Sequence, residues 1–170
     1  MLARGFVVAS RTEGTRLVRR MGAEGCSATL NGLHTFSPDE AREHRLTCDH
    51  ARFYRDDYTF LWELPMKLRD PGARVDPGVL RTRFRDRDVL AARVTYDPEV
   101  GNDTWTFKCD PSDRALVGYR FTHGEPNDDG EQIVLEGEYV LEGLRLPRRR
   151  TWYRIADDAL LGTDELIGHE

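Results

Sequence analysis

From residue 86 to residue 155 the chain alternates apolar and polar side chains in steps of two. No other feature limits the fold as tightly. A side chain that returns to the same face every second residue belongs to an extended strand with one buried and one wetted face. "DVLAARVTY" sets Leu90, Ala92, Val94 and Tyr96 on one side. "TWTFKC" sets Trp105, Phe107 and Cys109 against Thr104, Thr106 and Lys108. "ALVGYRF" aligns Val117, Tyr119 and Phe121, and "QIVLEGEYVLE" aligns Ile133, Leu135, Tyr139 and Leu141. The polar stretches "DPEVGND", "DPSD" and "EPNDDG" separate these runs as turns. "ALLGTDELI" adds a last edge strand. Consecutive strands with short connections make an antiparallel meander. The predicted fold class is mainly β (α+β): a curved antiparallel meander sheet or half-barrel, with one or two short helices packed on its concave side.

The three arginines Arg148, Arg149 and Arg150 test whether a basic run is a binding surface or is answered within the fold. Glu142-Gly143 fits a two-residue hairpin loop. Beyond it the apolar phase slips, since Leu144 and Leu146 are even-numbered while Thr151, Tyr153 and Ile155 are odd. One extra residue near Pro147, a β-bulge, restores the phase. That bulge sets Arg148 opposite Glu138 and Arg150 opposite Glu136, and turns Arg149 toward the apolar side. Facing opposite charges contribute roughly 0.2–1 kcal/mol each, so the run is expected to be answered mainly within its own hairpin.

Upstream, "SPDEAREHRL" offers Ser37 as N-cap and Pro38 as first helical residue of a short helix. In "RDDYTFLWELPMKLRDPG" Phe60, Leu61, Leu64 and Leu68 recur at helical spacing, and Pro65 is expected to break the element near Leu64. Residues 1–35 show no sustained period and are expected to be poorly ordered or atypical. Residues 36–170 form the single β-rich domain.

A length of 170 residues suits one domain with a real core. The formal net charge of -5 argues against nucleic acid as a partner, because phosphate binding needs a basic field. No apolar run approaches the roughly 18 residues of a membrane span, and Phe6–Ala9 is too short for a signal peptide core. The sequence therefore carries no export signal and leaves localisation open. Three cysteines, Cys26, Cys48 and Cys109, form no disulfide framework. Reduced thiols are the plain expectation, and a Cys48–Cys109 bridge would suit an exported chain.

Signatures of chemistry are few. No nucleophile elbow, Walker A loop or dinucleotide fingerprint occurs. His34, His44, Cys48 and His50 lack zinc spacing, even if "RLTCDH" were a strand with Cys48 and His50 on one face. "NDDGE" lacks the ligand alternation of a calcium loop and reads as a tight turn. His123 with Glu125, or Asp56 with Asp57, can be drawn as acid–base pairs, but acidic residues are common in turns and neither pair is expected to be catalytic. No catalytic residue, metal or cofactor is expected.

"FLWELPMKLRDPG", "VTYDPEVGNDTWTFKCDPSDRALVGYRF" and "DDGEQIVLEGEYVLEGLRLPRRRTWY…LGTDEL" together resemble a bacterial family of unknown function. Its members look like relatives of the LolA-like lipoprotein-carrier half-barrels. The resemblance covers residues 45–167. It implies a curved sheet around an apolar interior plugged by a helical segment, in chains that are usually exported or lipid-anchored. Residues 1–44 depart from the family's opening strands, which implies an exposed sheet edge and self-association through it. The family brings no agreed catalytic residues. The leading expectation is a non-catalytic module holding an apolar small molecule or lipid, such as an acyl chain, between the concave face and "DYTFLWELPMKL". The expected lining is Trp62, Leu64, Met66, Trp105, Phe107, Tyr119 and Phe121. A structural or interaction protein using its sheet edge or face is the second expectation, and an enzyme using dispersed polar turns the third.

Overall fold

In the computed structural model, which describes residues 5–12, 14–124 and 130–168, the alternating segments become strands. The seven are β4 (Ala73–Phe84), β5 (Arg87–Tyr96), β6 (Thr104–Cys109), β7 (Leu116–Thr122), β8 (Glu131–Leu141), β9 (Leu144–Arg154) and β10 (Leu160–Glu165). They form one open sheet in the order β10-β9-β8-β7-β6-β5-β4, with every neighbouring pair antiparallel. The chain is thus mainly β, as the alternation predicts.

The register carries one apolar row across the sheet: Ala92 pairs with Phe107, Phe107 with Tyr119, Tyr119 with Ile133, and Ile133 with Trp152. A parallel row joins Val94, Trp105 and Phe121. Val94, Trp105, Phe107, Tyr119, Phe121, Ile133 and Leu135 are all buried on this first face. Each such burial contributes about 2 kcal/mol.

The second face carries a smaller cluster of Phe84, Val89 and Val117, with Val134 against it. Val117 was expected beside Tyr119 and Phe121. A register shift at Lys108/Cys109 gives β7 an extra residue there, and Val117 joins Phe84 and Val89 instead. Gly118 makes this packing feasible, because a Cβ there would lie 2.3 Å from the Phe84 ring and 2.6 Å from the Ile133 carbonyl. At the tip of the β4–β5 hairpin, Arg85 stacks 3.9 Å above the Tyr153 ring and pairs with Asp158. The sheet therefore curls toward its second face at this corner.

The β8–β9 hairpin keeps its turn but not its expected bulge. Glu142 and Gly143 both have positive φ, at 48° and 84°, the geometry of a two-residue I′ loop. The pairing then holds one register from Leu141–Leu144 to Glu131–Arg154, interrupted only where Gly137 (φ 64°) passes Arg148. Consequently Glu138 faces Pro147, Glu136 faces Arg149, and Leu135 faces Arg150. Arg150, not Arg149, turns toward the apolar face. The turn fixes the register, and the strand accepts an inward arginine rather than an inserted residue.

β4 is one edge of the sheet and β10 the other. The pairing of β4 with β5 shifts between Val75 and Val79, around Pro77 and Gly78. Val75, Val79 and Leu80 are exposed there. A proline and a register break on an edge strand hinder pairing with another chain.

Two compact units divide between Glu63 and Leu64. The first contains a second antiparallel sheet, ordered β1 (Gly5–Thr12), β2 (Thr15–Gly22), β3 (Gly25–Leu30). These three strands lie within residues 1–35, the segment expected to be poorly ordered or atypical. Their period was hidden because Leu17, Arg19 and Met21 share one face, and Arg19 is buried among the rest.

Helix α1 (Pro38–Glu43) begins with the predicted cap. The Ser37 hydroxyl accepts the Glu40 amide at 3.2 Å, and Glu40 accepts the Ser37 amide at 2.7 Å. Helix α2 (Cys48–Lys67) is longer than expected. Its first turn is capped by the Thr47 hydroxyl, which accepts the His50 amide. "RLTCDH" is thus the entry to a helix, not a strand. Pro65 lies in the last turn of α2, where its missing amide removes one bond shortly before the helix ends.

Candidate functional site

Four of the seven expected lining residues meet on the first face of the large sheet. The Trp105 and Phe121 rings stack with centroids 4.6 Å apart and planes 22° apart. Tyr119 lies 5.5 Å from Trp105, and Phe107 lies 6.2 Å from it. Adjacent positions on β6 and β7 bring these rings together, because paired residues on antiparallel strands share a face. The other three belong to helix α2. The Trp62 ring packs on Phe6 and Tyr58, with centroids 6.0 Å and 6.3 Å away. Leu64 is buried, whereas Met66 is 52% exposed.

Sequence reasoning missed Arg150, which lies on the same face as the aromatic cluster. Its backbone partners are Leu135 on β8 and Asp164 on β10, and it is only 2% exposed. Its Nε and Nη2 have no hydrogen-bond partner among the described residues. Asp164 accepts the Trp152 indole N–H through Oδ2 at 2.5 Å. The signal was available in the sequence: running β9 back from Glu142-Gly143 without a bulge places Trp152 and Arg150 beside Ile133 and Leu135. Within the arginine run Arg148 pairs with Glu165 on β10 at 3.0 Å, and nearby Arg145 pairs with Glu138 across the hairpin.

The polar candidates lie on different elements. His34 follows β3, His44 ends α1, His50 lies in the first turn of α2, and His123 follows β7. His123 Nδ1 meets Asp103 at 2.9 Å. Glu125, its expected companion, lies outside the described residues, as does most of "NDDGE". Tyr96 is close enough to Asp103 and Asp70 that burial, and then their charges, push its phenol up. Lys108 is held below the usual lysine range by burial and by Arg120. No group of three or more His, Cys, Asp or Glu side chains among the described residues is arranged to hold a metal ion. No helix among them is long and apolar enough to cross a membrane.

The cysteines pair otherwise than considered from sequence. Cys26 on β3 and Cys48 at the start of α2 form a disulfide with Cα atoms 5.5 Å apart, and Cys109 is free. A shallow open groove of about 440 Å3 lies beside the β2–β3 turn, bounded by Phe6, Arg20, Met21 and Glu24. None of the seven expected lining residues borders it.

The model of a family of unknown function, DUF6503, matches residues 8–169. The chain belongs to this family. The match takes in most of the first unit, including β2 and β3. No curated protein and no solved structure matches the DUF6503 chain.

Proposed function

We propose that this DUF6503 protein is a non-catalytic binding module that holds an apolar ligand, such as an acyl chain or a lipid, against the aromatic face of its seven-stranded sheet. The observation that carries this reading is the continuous apolar row of Val94, Trp105, Phe107, Tyr119, Phe121, Ile133 and Leu135 across four adjacent strands, a buried layer that a ligand would enter by displacing what packs on it. Aromatic and aliphatic side chains dominate small-molecule sites, with few polar groups to orient the ligand. The resemblance to LolA-like lipoprotein carriers supports the same ligand class. The Cys26–Cys48 bridge suits an oxidising compartment, where such carriers work.

Native mass spectrometry of protein purified gently from its own host tests the proposal, together with titration of a fluorescent fatty-acid probe. The expected result is a retained lipid mass, or probe uptake that unlabelled acyl chains reverse. A bare chain that also leaves the probe in solution would sink the reading.

A further inference from the structure

We propose that Arg150 anchors the carboxylate of an amphipathic ligand whose hydrocarbon chain lies on the aromatic face, so that the ligand class is a long-chain fatty acid rather than a neutral lipid. This rests on the apolar-surface reading above and adds the headgroup.

An arginine keeps its charge in a protein interior, so a buried guanidinium calls for hydrogen-bond acceptors around it. At 2% exposure Arg150 is withdrawn from water, yet Nε and Nη2 find no acceptor among the described residues. These two nitrogens are the ones whose N–H bonds run parallel along one edge of the guanidinium. That edge is the fork that binds both oxygens of one carboxylate. Asp164 faces Arg150 across the β9–β10 pair, but its Oδ2 is engaged by the Trp152 indole N–H. The orphaned pair thus selects a planar, singly charged headgroup.

The surroundings specify the tail. Leu135 is the backbone partner of Arg150, Ile133 and Trp152 form the next pair along, and the row continues through Tyr119 and Phe107 to Ala92 on β5. Five strands at their usual spacing span about 19 Å, a distance that a long extended acyl chain covers. The headgroup would sit at the β9 end of this row and the tail would cross toward β5, displacing the side chains that now cover Ile133, Tyr119 and Phe107, each at most 2% exposed. Because Arg150 is so little exposed, a headgroup reaches it only as neighbouring side chains move, and binding should be slow on the stopped-flow timescale.

The test compares palmitate with hexadecanol, which has the same chain length and no carboxylate, by tryptophan fluorescence of the full chain. Wild type, Arg150→Met and Arg150→Lys are titrated in parallel. Wild type should favour palmitate by about tenfold or more, as charge-assisted hydrogen bonds allow. Arg150→Met should lose that preference and keep its hexadecanol affinity. Arg150→Lys should recover only part of it, because an ammonium lacks the parallel fork. Equal affinities in wild type, or a preference surviving Arg150→Met, would overturn the anchor while leaving the apolar surface standing. If neither ligand binds wild type, the surface reading fails and the anchor falls with it. Thermal melts of the ligand-free proteins control for folding. Arg150→Met should melt at or above wild type, and a marked drop would reassign Arg150 to a structural pair with Asp164.

Discussion

Each of the two sheets buries one arginine, and the two are treated in opposite ways. Arg19 on β2, 4% exposed, donates from Nε to the Arg45 carbonyl at 3.0 Å and from Nη2 to the His44 carbonyl at 2.5 Å. Its Nη1 reaches Ser10, and its guanidinium lies 4.9 Å from the Tyr54 ring centroid. Those two carbonyls lie at and just beyond the end of α1, where backbone acceptors lack helical partners. Arg19 therefore fastens strand to helix. Arg150 has the same burial and none of that satisfaction at Nε and Nη2. The difference teaches that burial alone does not assign a role to an arginine; what its donors meet does.

The largest effect should come from substituting methionine at each position. Arg19→Met strands two buried carbonyls and removes a cation–π contact, a loss of about 3 kcal/mol in stability given the usual worth of hydrogen bonds to charged groups. Arg150→Met replaces a poorly satisfied charge by an apolar side chain, and such replacements are neutral or stabilising. Urea denaturation of both variants measures the contrast. Equal losses would erase the distinction and make both arginines structural.

How much of this was readable beforehand depends on where the deciding interaction lies. Strands β6, β7 and β8 were legible because Trp105, Phe107, Tyr119, Phe121, Ile133 and Leu135 face a buried side and their neighbours do not, so local alternation reports the fold directly. Ser37, Pro38 and the Glu142-Gly143 turn were legible for the same reason: their chemistry is local. Four of the candidate site residues came from that alternation. The strands of the first unit were not legible, since an arginine serves as a core residue in β2 and breaks the pattern that marks a strand. Arg150 failed similarly. Treating arginine as an outward residue forced a bulge that the strand does not contain. The bridge joins residues 22 apart in sequence, and no local pattern reports a contact of that span.

A second test acts on the first unit alone. The Cys26–Cys48 bridge closes a loop whose tethering removes unfolded-state entropy worth about 3 kcal/mol. Replacing both cysteines by serine, or adding a strong reductant, should lower the stability of the first unit by roughly that amount. The Trp62 ring packs on Phe6 of β1, whereas Trp105 and Trp152 belong to the large sheet, so single-tryptophan variants can report the two regions separately. An equal loss at all three tryptophans would show that the two sheets unfold together. A midpoint indifferent to reductant would show that the bridge adds nothing.

The smallest effect belongs to a third arginine, one that stands at the surface. Arg85 pairs with Asp158 at 2.5 Å, and Gln132 donates to the other carboxylate oxygen at 2.8 Å. The hydrogen bond from Arg85 holds the Asp158 carboxyl below its ordinary value of 3.8; desolvation opposes it by less, and the hydrogen bond from Gln132 and the charge of Arg85 add to the lowering. A carboxyl lowered in the folded state stabilises the fold above its unfolded value, and that contribution is lost as pH falls through the folded one. The stability difference between wild type and Asp158→Asn should therefore be present at pH 7 and shrink on acidification below about pH 4. Because the pair faces solvent, it should also shrink as salt rises. A difference that persists unchanged at pH 2 would mean that Arg85 holds this corner through its stacking on Tyr153 rather than through charge. The surface pair would then rank with Arg19, as an arginine kept for what its flat guanidinium packs against.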